Sequence, residues 1–158
     1  RFRSGCDLRA RDSIRRLLSG LTPWPIVLGF LVAAVGGTVT SALYFLILFT
    51  TRPSVPGQEA GLLTTGDLVA VEVLGLLMTA LGGFVSGRKA NMLHVRHGAA
   101  AGAGTLAAWL LLDVAVPSEG IPAWYDAVSI AATIPAAALG GSAAGRWPPG
   151  REAAGAHH

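Results

Sequence analysis

Few residues in this chain combine a reactive type with a telling position. Glu72 is the first. It stands in an apolar run, five residues past Asp67, so about 7 Å inside a helix that starts at Asp67. An acid within a membrane span is costly, and it marks an ion or proton pathway unless it reaches water or a cation. At helical spacing Gly75, Thr79, Gly83 and Ser86 fall on the same face as Glu72. Glu72, Thr79 and Ser86 are therefore the candidate substrate or ion pathway. The structural alternative for Glu72 is that it reaches the nearby interface or pairs with Arg52.

His94 and His97, three residues apart, and the lone Cys6 are the other groups with chemistry to offer. A metal centre needs a further ligand pair, so they read as interface histidines, and no metal or cofactor is expected. One cysteine excludes an intrachain disulfide and thiol-pair redox work. No Ser/His/Asp set, phosphate-cradling glycine loop or paired carboxylates at depth occur in the sequence, so an enzyme is the least supported class.

The elements that must position these residues are apolar and long. The 158 residues are 52% hydrophobic and 13% charged, with a mean hydropathy of +0.55. Soluble domains carry about twice that charge. Here the charges sit in short blocks between long apolar runs, which is the pattern of a membrane protein. A net charge of +3 has no aromatic and basic surface beside it, so nucleic acid is not an expected partner. The expected partner is the lipid bilayer.

Four spans are expected, at about 25–49, 67–87, 97–116 and 123–145, within a membrane domain of 23–147. Pro23 and Pro25 suit a helix start, where their missing N–H groups would have had no partner. Thr65 or Asp67 would cap the second span. Small residues line one face of each helix: Ala33, Gly37 and Ser41 with Tyr44 in the first, Gly98, Ala101, Thr105 and Ala108 in the third, and Ser129, Thr133, Ala136, Gly140 and Ala143 in the fourth. Pro135 falls within the fourth span and would kink it. Residues 1–22 form a basic segment compatible with an interfacial helix, and 148–158 read as a disordered tail.

Leu81-Gly82-Gly83-Phe84-Val85-Ser86-Gly87-Arg88 recurs as Leu139-Gly140-Gly141-Ser142-Ala143-Ala144-Gly145-Arg146, 58 residues later. Both copies close an apolar span on an arginine. The pairs Gly83 and Gly87, Gly98 and Gly102, and Gly141 and Gly145 set small residues one turn apart, which lets helix backbones approach closely. They are the expected helix-packing positions, either within the bundle or in a homo-oligomer. If the repeat is a duplication, two hairpins would be related by an axis along the membrane normal. Convergence on a common helix exit explains it as well.

Four spans put both termini on one side. Eleven of the twelve basic residues then share that side, with Arg52 alone opposite. The positive-inside bias makes that side the cytoplasm.

With Gly82-Gly83-Phe84-Val85-Ser86-Gly87-Arg88 followed by His97-Gly98, the chain resembles uncharacterised small four-span bacterial membrane proteins that carry Gly-Gly-x3-Gly-Arg at a helix exit. The resemblance covers the second and third spans. It implies an integral inner-membrane protein and no known activity, so no catalytic residue is carried over. The expectation is an all-α, four-helix membrane bundle. It would act without catalysis, as a structural or accessory subunit of a membrane complex. A small oligomeric transporter or channel using Glu72 is the alternative, and a lipid-modifying enzyme a distant third.

Overall fold

Two of the four backbone donors that a helix start leaves without partners do not exist in the first helix, because Pro23 and Pro25 occupy those places. That helix, α1, runs Pro23–Thr51. At its other end the Thr50 and Thr51 hydroxyls donate to the Leu46 and Ile47 carbonyls, at 2.9 and 2.8 Å. The computed structural model describes residues 20–52, 63–90, 92–115 and 121–147. Three further helices follow: α2 (Thr65–Lys89), α3 (His94–Ala115) and α4 (Ala123–Arg146). The expectations for residues 1–19, for most of the first loop and for the tail from 148 lie outside the described residues, as does Val116 at the end of the third span.

Each of the four helices is long and apolar enough to cross a membrane. The chain is all-helical among the described residues, with the build of a multi-pass membrane protein. Large apolar side chains point outward on every helix. Val69, Val73, Leu77 and Leu81, each four residues after the last, form one exposed stripe along α2. The interior is made of small residues instead: Ala33, Ala101, Ala137 and Ala144 are buried with the glycines between them. This inversion of the water-soluble pattern suits lipid, where packing rather than apolar burial holds helices together.

The contacts fix the helix directions. Gly29 meets Gly82 and Ser86, Gly36 meets Met78, and Tyr44 reaches Asp67, so α1 and α2 are antiparallel. Gly141 lies against His94 and Gly98, and Gly102 against Ala137 and Ile134, so α3 and α4 are antiparallel too. Glu72 meets Ser129, Gly83 meets Ala137, and Gly87 meets Gly141 and Ala144, so α2 and α4 run parallel. The two hairpins lie side by side through α2 and α4, with α3 also against α1 and α2. Among the described residues α1 and α4 do not touch.

Several local expectations are corrected. Thr64, not Thr65 or Asp67, caps α2. The third helix starts three residues before His97, because the chain turns at Leu93, whose φ of 59° lies in the left-handed region. The α1 seam uses Gly29, Ala33 and Gly36, while Gly37 faces open space. The buried α4 face is Thr133, Ala137, Gly140, Gly141 and Ala144, and Ala143 is exposed. Ala108 is exposed as well, since from Ala107 to Ala115 α3 is uncovered on every side. Separately, helix α4 continues through Pro135, and the Thr133 hydroxyl donates to the Ser129 carbonyl at 2.5 Å.

Candidate functional site

The polar side chains that link one element to another form three separate clusters. The first ties the end of α1 to the start of α2. Asp67, the third residue of α2, is 5% exposed. Its side chain accepts from the Thr64 backbone N–H at 2.8 Å, while the Thr64 hydroxyl accepts from the Asp67 N–H at 3.3 Å. This reciprocal pair is a capping box. Arg52 Nη2 donates to both Asp67 oxygens at 2.7 and 2.6 Å, and the Tyr44 hydroxyl donates to Oδ1 at 3.1 Å. The partner of Arg52 is thus Asp67 and not Glu72. The signal for this cluster lay in Thr64-x-x-Asp67, a Thr followed three residues on by an acid just before an apolar run.

The second cluster holds Glu72. Its carboxylate accepts from the Ser129 hydroxyl of α4 at 2.7 Å. The acid is neither fully buried nor exposed, and it bridges the two parallel helices. Ser129 carried no pattern that singled it out as this partner, because a hydroxyl on a small-residue face looks the same whether or not an acid stands opposite.

The third cluster surrounds His97, which is 1% exposed. The Thr22 N–H donates to His97 Nε2 at 3.1 Å, so that nitrogen is an acceptor. Nδ1 lies 3.2 Å from the Leu93 carbonyl, which can only accept, so Nδ1 carries the proton. The imidazole in this geometry is the neutral Nδ1–H form. Ser86, fully buried, donates to the His97 carbonyl at 3.1 Å. His97 thereby joins the segment before α1, the α2–α3 turn and the interior of α2. His94 turns elsewhere and donates through Nδ1 to the Gly87 carbonyl at 2.6 Å.

The three residues of the candidate pathway therefore go to different partners. Glu72 reaches α4 and Ser86 reaches α3, while the Thr79 hydroxyl donates to the Gly75 carbonyl of its own helix at 2.9 Å. His94 and His97 make separate bonds, and among the described residues no group of three or more His, Cys, Asp or Glu side chains could hold a metal ion.

The six helix-packing glycines all meet neighbouring helices. A Cβ on Gly83 would overlap the Ala137 carbonyl, and one on Gly98 would come within 2.5 Å of the same oxygen. On Gly102 it would lie 2.6 Å from the Ala137 Cβ, and on Gly87 it would lie 3.0 Å from the Gly141 Cα. Gly141 faces the His94 carbonyl and Gly145 the His94 ring. The two repeats also cross reciprocally: Gly83 sits against the Ala137 carbonyl, and Gly140 against that of Ala80. In each Gly-Gly pair the members face different helices. Gly82 packs on α1 and Gly83 on α4, whereas Gly140 packs on α2 and Gly141 on α3. Each pair wedges its helix between two others.

No family model, curated protein or solved structure matches the chain.

Proposed function

We propose that this chain is a non-enzymatic integral membrane protein, a structural or accessory subunit of a larger complex in a bacterial inner membrane, with both termini on the cytoplasmic side. The observation that carries the reading is where the polar groups go. Among the described residues every buried side-chain nitrogen and oxygen has a hydrogen-bond partner. Asp67, Ser86, His97 and the half-buried Glu72 tie helix to helix or helix to turn, while Thr79, Thr105 and Thr133 bond within their own helices. Polar groups used this way act as glue between spans. The broad apolar outer faces suit lipid and partner helices alike. The sidedness rests on the eleven basic residues that four spans place together.

Glu72 favours a second reading. A carboxylate between two parallel spans, held by a serine hydroxyl, has the makings of a cation or proton site in an oligomeric transporter or channel. Flux across vesicles containing the purified chain separates the two. A subunit gives vesicles no more permeable to protons or sodium than protein-free ones. A flux that Glu72→Gln abolishes, with the fold intact, overturns the accessory reading.

A further inference from the structure

One surface feature lies outside the three polar clusters. Where α4 ends and α3 begins, an open groove runs between the two helices. Leu93, Val95, His94 and Gly145 contribute its largely apolar lining, and Arg96 and Arg146 also border it. Both arginines are exposed, and neither makes an ion pair among the described residues. The His94 Nδ1–H is engaged by the Gly87 carbonyl, so this ring is fixed in place as one wall. Arg146 is the last residue of a spanning helix and Trp147 follows it, exposed, which places the groove at a membrane–water boundary.

We infer that this groove binds the headgroup of an anionic phospholipid. The argument is charge complementarity joined to a largely apolar lining. The two arginines of the lining suit a phosphate, which arginine grips through paired N–H donors. The apolar residues beside them suit the first carbons of acyl chains, which a free phosphate lacks. Basic pockets between membrane helices at this depth are suited to lipid headgroups. The inference rests on the chain crossing a membrane and stands whether it is a subunit or a transporter.

The test uses the purified full chain in detergent, with phosphatidylglycerol, cardiolipin or phosphatidylcholine added, and bound lipid counted by native mass spectrometry. The expected result is retention of an anionic lipid in preference to phosphatidylcholine, undiminished by an excess of inorganic phosphate. The double variant Arg96→Gln/Arg146→Gln should lose that retention by roughly tenfold or more. Lys89→Gln, a basic exposed residue outside the groove lining, should keep it. An unchanged thermal midpoint of the lipid-free double variant checks that its fold is intact, and Arg96→Lys/Arg146→Lys should restore part of the binding should that midpoint fall. Equal retention of phosphatidylcholine, displacement by inorganic phosphate, undiminished binding by the double glutamine variant, or an equal loss in Lys89→Gln would each overturn the inference.

Discussion

One guanidinium nitrogen of Arg52 reaches both carboxylate oxygens of Asp67, and that carboxylate also closes the capping box with Thr64. The two residues are not equal partners. The Arg52 side chain is 43% exposed, and pairs of that kind contribute little in water. Asp67 is buried and serves Tyr44, Thr64 and Arg52 together. Asp67→Ala should therefore lower the thermal unfolding midpoint in detergent well beyond Arg52→Gln. Equal losses would mean that the ion pair, not the cap, secures the start of α2.

The glycine seams predict a position-dependent series. Gly83→Ala and Gly140→Ala would drive a methyl group into a backbone carbonyl, and overpacking of this kind costs about 1–3 kcal/mol. Gly37→Ala and Gly75→Ala add a methyl where nothing lies within 4 Å, and they should be neutral or mildly stabilising. Unfolding titrations in mixed micelles read both sets. A uniform response across the four positions would contradict the packing described here.

Much of this architecture was legible in the residues, and the reason is physical. A span must satisfy its own backbone in lipid, so a long apolar run bounded by proline, glycine and charge is a helix. The four helices accordingly overlap the four runs, with ends shifted by no more than three residues. Faces were less legible. A stripe of small residues is wide in a chain this rich in Gly and Ala, so Gly37 and Ala143 read as seam residues although the seams pass beside them. Partners across helices were least legible. Nothing local told Arg52 to prefer Asp67 over Glu72, because that choice depends on the angle at which α1 meets α2. The role of His97 was hidden for the same reason, since Thr22 lies 75 residues away.

His97 supplies a further test. His97→Leu fills much of the space but leaves the Thr22 N–H without its acceptor and removes the donor to the Leu93 carbonyl. A fully buried group left in this way costs about 1–3 kcal/mol. Because Thr22 and Leu93 are themselves exposed, water takes over part of the loss, and the cost should fall toward the lower end. Ser86→Ala removes one hydroxyl whose partner, the His97 carbonyl, lies within a helix, so it should cost less. The order of the two midpoints checks whether His97 is the joint between α1 and the α2–α3 turn.

Sidedness can be read with the native cysteine. Cys6 should react with a membrane-impermeant maleimide only after cells are permeabilised, as the basic N-terminal segment predicts. In a Cys6→Ser background, Gln58→Cys in the first loop should react in intact cells. The opposite pattern would invert the proposed topology.

The most direct test of the functional account is the native mass of the complex isolated from its own membrane in mild detergent, with every co-isolated chain identified. An accessory subunit predicts a different protein present at fixed stoichiometry, retained by Glu72→Gln. A homo-oligomer with no other chain, whose ion flux Glu72→Gln abolishes, would contradict it.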